Sequence, residues 1–283
     1  MESELWKKVY RTVMEIGNKT MIKWGTFSDG DIAATHLWSV FNERPTKWAC
    51  IKSNWPICYR RRRLPDPSTM CRRLRTASVQ TLLKQIETTW QQELPRSFCR
   101  WIDAKGLLIS NSSGDKQSGY GYAGGGKGKG YKFYAIADPN QGFVNWTIRP
   151  MQHKECRVAE HLLIHTEPQG YLIGDKAYDS SRLHDKAAEK FLKLVAPQAV
   201  PGKLGHRKHS PHRIEMINRF QTAFIKNLFS TRVGIEHLFG QWTNIYCGLK
   251  PLPSWVRGLW RVENWIRAKL IIFYNWRQMH AQN

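Results

Sequence analysis

Hydrophobic residues recur at helical spacing over the first 95 or so positions of the chain. SDGDIAATHLWSVF offers Ser28 as an N-cap and Asp31 as its capping-box partner before an apolar stripe begins. TASVQTLLKQIETTWQQEL carries a second stripe of the same period. The two stripes are formed by Ile32, Leu37, Trp38 and Phe41, and by Val79, Leu82, Leu83, Ile86 and Trp90. The pattern therefore predicts a helical domain over residues 1–95.

From Arg100 onward, short apolar runs alternate with helical segments. RWIDAKGLLIS is typical of a strand, and GYKFYAIADPNQGFVNWTIRP of a β-hairpin that turns at residues 138–142. A helix (KECRVAEHLLIH), a strand (YLIG), a helix (DSSRLHDKAAEKFL) and a strand (KLVAPQAV) follow. A basic loop at residues 201–213 then leads to helices from about Ile214 to the last residue. This order predicts an α/β domain over residues 96–283, a mixed sheet flanked by helices.

Basic residues outnumber acidic ones, with 44 Lys and Arg against 22 Asp and Glu, so the formal net charge is +22. Such a charge indicates a polyanionic partner, of which nucleic acid is the commonest. No apolar run approaches the ~20 residues that span a bilayer, and the opening residues lack a signal-peptide core. The six cysteines are scattered without a C-x-x-C pair, which argues against a zinc ribbon and a disulfide framework. We expect a cytoplasmic protein that acts on nucleic acid, with no membrane partner.

Arginines of the helical region cluster around one turn, in YRRRRLPDPSTMCRRLRT. The PDPS segment ends one element and caps the next, so several arginines lie on a short helix after a tight turn. That arrangement is typical of helix-turn-helix modules, which contact phosphates or enter a groove of DNA. A solvated charged face is the alternative, and the net charge favours DNA contact. The predicted contacts are Arg60, Arg61, Arg62, Arg63, Arg72, Arg73 and Arg75.

The segment GYAGGGKG, residues 121–128, approaches the phosphate-binding P-loop pattern without completing it. Gly128 stands where a Mg²⁺-binding hydroxyl belongs, and the segment leads into a strand instead of a helix. We interpret it as a basic loop between two strands, with Lys127 and Lys129 available to DNA; a plain flexible linker is the alternative. The histidines of the basic loop at residues 201–213 have no Cys or acid nearby to complete a zinc site. We therefore interpret this loop as DNA-facing too.

Three acidic residues end or interrupt apolar runs, where a carboxylate is costly to desolvate unless a cation pairs with it. Asp103 lies in the first predicted strand, Asp175 follows the strand YLIG, and Glu236 lies on a helix one turn after Arg232. Singly, each has an ordinary role as a helix cap, a solvated acid or a surface ion pair. Together, two aspartates on strands and an acid on a later helix can converge on two Mg²⁺ ions that cleave a phosphodiester.

The segments around these acids resemble the DDE transposases of bacterial insertion sequences, a ribonuclease-H-like family. YLIGDKAYDSSRL and FSTRVGIEHLFGQW are similar to the branch with a Tyr-x2-Arg-x3-Glu-x6-Lys signature, with Phe229, Arg232 and Glu236 at its first three places. WIDAKGLL and the following hairpin resemble the family's first-aspartate strand, and the N-terminal stretch its helical leader. Phe229 replaces the signature tyrosine, and Thr243 replaces the signature lysine. The positive charge of that lysine could be supplied by Lys250 or by a lysine of the glycine-rich segment.

This resemblance implies a ribonuclease-H-like catalytic domain in which Asp103, Asp175 and Glu236 bind two Mg²⁺ ions, for which Mn²⁺ can substitute. It implies that Arg232 and Lys176 contact DNA beside the metals. It further implies cleavage at the terminal inverted repeats of a transposon, strand transfer into double-stranded target DNA, and a homodimer in the synaptic complex, associated with the bacterial nucleoid. A metal nuclease of the same fold and a catalytically inactive DNA-binding derivative are the alternatives.

Overall fold

A computed structural model of the chain describes residues 2–19, 26–123, 125–200 and 209–280. Contacts divide the chain into two compact units, Met1–Glu93 with Trp242–Asn283, and Leu94–Gln241. We call them the helical unit and the sheet unit. Their elements, in chain order, are α1 (Glu2–Lys19), α2 (Asp29–Phe41), α3 (Thr46–Ala49), α4 (Pro67–Arg73), α5 (Ala77–Gln92), β1 (Cys99–Ile109), β2 (Gly119–Ala123), β3 (Gly126–Asp138), β4 (Gly142–Pro150), α6 (Glu155–Ile164), β5 (Gly170–Ile173), α7 (Ser181–Ala188), β6 (Leu192–Val195), α8 (Pro211–Arg219), α9 (Ala223–Ser230), α10 (Val233–Asn244) and α11 (Leu259–His280).

The helical unit forms as its apolar spacing predicted. Ser28 caps α2: its hydroxyl accepts a hydrogen bond from the Asp31 amide, and the Asp31 carboxylate accepts one from the Ser28 amide. This is the predicted capping box. Helices α1, α2, α5 and α11 pack against one another, and Leu37 and Ile266 are fully buried among them. None of the described helices is long and apolar enough to cross a membrane.

Helix α11 groups with the N-terminal helices, whereas the sequence predicted residues 96–283 to form one domain. Most of its length is buried, including Lys269, whose ammonium donates to the Glu43 carboxylate (2.8 Å) and to the Cys247 carbonyl. A helix that is buried on most sides has no single apolar stripe that indicates its partner. Packing between distant parts of the chain therefore assigns α11 to the helical unit.

The sheet unit is built on one mixed six-stranded sheet, in the order β2-β3-β1-β5-β6, with β4 paired to β3. β1 is antiparallel to β3 and parallel to β5, and β6 continues the parallel part. The β3–β4 hairpin turns where predicted: the buried Asp138 carboxylate accepts hydrogen bonds from the Asn140 and Gln141 amides, and Gly142 has φ +80°. The predicted mixed α/β architecture is confirmed.

The glycine-rich segment is a β-hairpin, so the interpretation as a loop or flexible linker was wrong. β2 pairs with the beginning of β3, which sets Gly121 opposite Gly128 and Tyr122 opposite Lys127. A Cβ on Gly121 would lie 2.5 Å from the Met151 carbonyl oxygen. At this position glycine allows a close approach of neighbouring chain, which a local pattern cannot distinguish from flexibility.

Helices cover both faces of the sheet. Ile102 and its neighbours pack on α6 and α7, and Trp101 packs with residues of α8 and α9 on the opposite face. Because side chains alternate along a strand, Asp103 and Lys105 share the Trp101 face. The predicted basic loop lies outside the described residues at 201–208, and its last residues begin α8 at Pro211.

Candidate functional site

Strand β1 carries Asp103 in the middle of the sheet, where its side chain is largely buried and accepts a hydrogen bond from the Ala104 amide (2.8 Å). Burial raises the pKa of Asp103 to about 6, because desolvation disfavours the ionised form. The negative charges of Asp175 and Glu155 raise this pKa too, whereas the positive charge of Arg232 lowers it. Asp103 is therefore a carboxyl group that a further cation would stabilise.

Arg232 joins the acid of β1 to the acid of α10. One terminal nitrogen of its guanidinium lies 3.2 Å from Asp103 Oδ2, and the other donates to Glu236 Oε1 at 2.6 Å. The Arg232–Glu236 pair at one-turn spacing is the pair that the sequence predicted, and the contact with Asp103 adds to it. Two of the three predicted acids thus meet at one cation.

The approach of α10 to β1 depends on the contact between Trp101 and the helix backbone. The Trp101 indole donates to the Thr231 hydroxyl (3.2 Å), just before α10 begins. A Cβ on Gly234 would lie 2.3 Å from the Trp101 ring, so only glycine lets the indole lie so close at this position. This contact sets the distance between Asp103 and the first turn of α10, where Glu236 lies.

Asp175 follows β5 by two residues, and the register of the sheet aligns it with Asp103. Trp101 pairs with Ile173 in the parallel ladder, and Asp103 and Asp175 each lie two residues beyond that pair. The Asp175 carboxylate accepts a hydrogen bond from the Ala177 amide (2.8 Å) and caps a single helical turn. Its charge contributes to the raised pKa of Asp103.

Asp179 lies just before α7, where aspartate is a common N-cap, but it does not cap that helix. Ser180 caps α7, and the buried Asp179 carboxylate forms a two-pronged ion pair with Arg213 of α8, with two N–O distances of 2.6 Å. These hydrogen bonds hold the pKa of Asp179 well below its usual range, although its burial acts in the opposite direction. The pair ties α8 to the segment that follows Asp175.

A metal ion suits the chemistry of these side chains, although they are not gathered as ligands. Within the described ranges, no three His, Cys, Asp or Glu side chains are close enough together to hold a metal ion. Asp103 and Glu236 share the Arg232 guanidinium, which is a positive charge between two carboxylates. Mg²⁺ prefers carboxylate oxygens, and a bound cation would offset the burial that raises the pKa of Asp103. Metal binding by Asp103, Asp175 and Glu236 stays a prediction.

Three residues near the acids were not singled out from the sequence. Lys132 of β3 donates to Glu155 of α6 (2.7 Å), and Tyr178 is fully buried. The Tyr178 hydroxyl has no hydrogen-bond partner among the described residues. Its pKa is raised well above the usual value, first by burial and then by the charges of Glu155, Asp103 and Asp175. The sequence could have indicated Tyr178, because it lies in the segment GDKAYDS close to Asp175. No local pattern marks Lys132 or Glu155.

The arginines that were predicted to contact DNA divide into two groups. Arg73 is buried and bonded to the Asp29 carboxylate (2.5 Å), and Arg61 pairs with Asp31. These two hold the helical unit together, so the structure gives them internal partners where we predicted DNA. The others are exposed: Arg60, Arg62, Arg63, Arg72 and Arg75.

Lysines predicted to contact DNA also differ in their surroundings. Lys127 and Lys176 are exposed, whereas the Lys129 ammonium donates to the Ser113 carbonyl and lies 5.7 Å from the centre of the Tyr120 ring. Lys250, a predicted substitute for the signature lysine, lies 3.4 Å from the Glu43 carboxylate.

Phe229, which takes the place of the signature tyrosine, packs in an apolar cluster 5.4 Å from Phe220, measured between ring centres. Its ring is therefore part of the packing of α8 and α9 on the sheet. Their apolar contact accounts for a phenylalanine at this position.

Comparison with protein families places most of the chain in a known family. A family model described as "Transposase DDE domain" matches residues 98–276, which is well over half of the chain. No curated protein and no solved structure matches it. The matched range begins one residue before β1 and includes Asp103, Asp175 and Glu236. A match of this extent shows that the chain belongs to the DDE transposase family.

Proposed function

We propose that this transposase cuts DNA at the ends of a transposon and transfers the freed strands into target DNA, using Asp103, Asp175 and Glu236. The observation that carries the proposal is the junction at Arg232, which contacts Asp103 from β1 and Glu236 from α10. Asp175, two residues beyond the same sheet register, supports it through its effect on the pKa of Asp103.

The three acids would hold two Mg²⁺ ions, or Mn²⁺ in their place. When bound, such ions activate the attacking oxygen and stabilise the leaving oxygen of a phosphodiester. Arg232 has a separate task, because a guanidinium carries five N–H donors and can hold both acids while donating to a phosphate. Trp101 keeps that guanidinium in place through its contact with the start of α10.

We further infer that the sheet unit is ribonuclease-H-like and belongs to the insertion-sequence branch with the Tyr-Arg-Glu-Lys signature. The antiparallel strands β3, β4 and β1, followed by the parallel β5 and β6 with helices on both faces, support this. The net charge of +22 supports double-stranded DNA as the partner, both as terminal inverted repeats and as target. Joining two ends requires both to be held together, for which we propose a homodimer.

Plasmid cleavage with the DNA that flanks the gene tests the proposal. The wild-type protein should make breaks at discrete ends when Mg²⁺ or Mn²⁺ is added, and Asp175→Asn should bind the same DNA without cutting it. Glu189→Gln, on an exposed part of the sheet unit, is the matched control and should cut normally. Strand transfer is then measured with labelled, pre-cut ends.

Each other outcome selects a different function. Cleavage that needs Asp175 but never joins strands indicates a nuclease of the same fold. Binding without cleavage by the wild type indicates an inactive DNA-binding derivative. Equal cutting by wild type and Asp175→Asn would remove Asp175 from the site.

A further inference from the structure

Lys105 shares the sheet face of Asp103 without taking part in the ion pairs of the site. The two residues are separated by one position in β1, so their side chains point to the same side and their Cα atoms lie about 7 Å apart. Trp101, on that face too, contacts the start of α10. Asp103 and Lys105 therefore lie one after the other on the face of β1 that packs against α10.

A second contact places the Lys105 ammonium against α10, three residues after its acid. The ammonium lies 5.7 Å from the centre of the Phe239 ring, and Phe239 comes three residues after Glu236 on the same helix. Residues three apart on a helix are neighbours on its surface. Strand alternation and helix spacing thus independently place Lys105 next to the pair of acids that Arg232 joins.

The charge of Lys105 is available to a ligand. Within the part of the chain that the structure describes, its ammonium has no ion pair or hydrogen bond. The ammonium instead lies over the face of the Phe239 ring. Its side chain is partly buried, so its stem is held by its surroundings. Helix α10 itself, VGIEHLFGQWTN, contains no lysine or arginine. Arg232 is thus the cation that pairs with Glu236, and Lys105 adds a positive charge against the same helix at Phe239.

We propose that Lys105 binds the DNA phosphate next to the one that reacts, and so positions the strand at Asp103. This rests on the proposed function. Successive charges of one DNA strand are about 3.4 Å apart along the helix axis. A strand whose reacting phosphate is held at Asp103 and Arg232 therefore presents its neighbouring phosphate within reach of Lys105. An ammonium suits this contact because it acts as a point charge and needs no fixed orientation.

The test combines a charge change in the protein with a charge change in one phosphate. Lys105→Met removes the charge and keeps much of the stem, and Lys105→Arg keeps the charge. Lys186→Met is the matched control, since Lys186 lies on α7, which covers the opposite sheet face, and pairs with Glu189. DNA carrying one uncharged methylphosphonate is prepared for each position of the flanking DNA that the bound protein protects in footprinting. Affinity is measured without divalent metal, and thermal unfolding is followed to verify that each variant is folded.

We expect Lys105→Met to lower DNA affinity about tenfold, as loss of a charged hydrogen bond does. The slope of log affinity against log salt should become shallower by about 0.9, the value for one phosphate contact. One methylphosphonate position should weaken the wild type and Lys105→Arg but leave Lys105→Met unaffected. In cleavage assays KM should rise more than kcat falls, because Lys105 holds a non-reacting phosphate.

A folded Lys105→Met variant with the affinity and salt slope of Lys186→Met would overturn the proposal. Equal sensitivity of wild type and Lys105→Met to every methylphosphonate would overturn it as well. The binding measurements need no cleavage. A failure of the proposed strand cleavage would therefore appear in the plasmid assay while the Lys105 result is still obtained.

Discussion

At the scale of single residues, the site is organised by charge around Arg232. Its guanidinium contacts Asp103 and Glu236, and Asp103 is the more buried of the two acids. An exposed ion pair contributes little to the free energy of unfolding. A cation beside a partly buried carboxyl group, in contrast, shifts the pKa of that group strongly. The Arg232 contact therefore matters most for the ionisation of Asp103.

Replacing Arg232 should raise the pKa of Asp103 above its value of about 6. The expected increase is roughly 1–3 pH units for loss of an adjacent opposite charge. Since the pKa of Asp103 is raised on folding, its contribution to stability is complete below about pH 4 and is lost as the pH rises through 6. In Arg232→Met that loss should extend to higher pH. Carbon-13 NMR titration of the Asp103 carboxyl measures the pKa directly, and urea unfolding at several pH values measures the stability.

Arg232→Lys is the control for this prediction, because it keeps a positive charge. Its Asp103 pKa should stay nearer to the wild-type value than that of Arg232→Met. An Asp103 pKa that is the same in all three proteins would show that burial alone determines it.

At the scale of secondary-structure elements, the site depends on how β1, β5 and α10 meet. The parallel ladder of β1 and β5 ends at the Trp101–Ile173 pair, two residues before Asp103 and Asp175, and the Trp101 contact brings α10 to β1. The approach of α10 is sensitive to one added methyl group, because Gly234 lies against the Trp101 ring. The two glycines of α10 differ in this respect and provide a paired experiment.

Gly234→Ala should destabilise the protein, whereas Gly240→Ala should not. A Cβ at Gly234 would lie 2.3 Å from the Trp101 ring, and a Cβ at Gly240 would have no neighbour within 4 Å. Overpacking costs about 1–3 kcal/mol, and alanine recovers up to about 1 kcal/mol of helix propensity at either position. With the full recovery, we expect a net loss of up to about 2 kcal/mol for Gly234→Ala and a small gain for Gly240→Ala, measured by urea unfolding.

A smaller side chain at position 101 provides a further control. Combining Gly234→Ala with Trp101→Leu should cost less than the two single changes added together, because the clash is removed. Strict additivity would show that the Trp101 contact does not limit the position of α10.

At the scale of the whole molecule, the chain crosses between its two units twice. The sheet unit is one continuous segment, Leu94–Gln241, and the helical unit is completed by Trp242–Asn283. Helix α11 contributes Ile266, Leu270 and Phe273, all fully buried, to a unit whose other helices come from the N-terminal region. An internal segment carries the predicted catalytic acids, and the helical unit needs both ends of the chain.

Ile266→Ala should therefore weaken the N-terminal helices. Removing a fully buried isoleucine side chain costs about 2–5 kcal/mol, whereas His280→Ala, at an exposed position of the same helix, should change stability by less than about 0.5 kcal/mol. Hydrogen exchange with peptide resolution should show lost protection in α1, α2 and α5. Protection in β1, β3 and β5 should change less. Loss of protection confined to the sheet strands would contradict the assignment of α11.

Local patterns were sufficient for much of this protein. The 3.6-residue period of α2 and α5, the alternation in β1 and the turn at residues 138–142 depend on neighbours in the chain, and all appear in the structure. The i, i+4 spacing predicted the Arg232–Glu236 pair for the same reason. The segments around the three acids resemble the DDE transposases, and the family match confirms that resemblance.

Tertiary packing decided the rest, because contacts between distant segments leave no local period. Arg73 and Arg62 look alike in the sequence, but Asp29 lies beside the first and buries its charge, while the second stays exposed. The pattern around Gly121 indicates flexibility, whereas in the structure Met151 packs against this glycine. The position of Lys105 next to Phe239, and of α11 in the helical unit, likewise depends on which surfaces meet. Sequence by itself determined most helices and strands and the family, because these depend on local patterns and motifs, and the fold determined which charged side chains are paired inside the protein and which stay exposed.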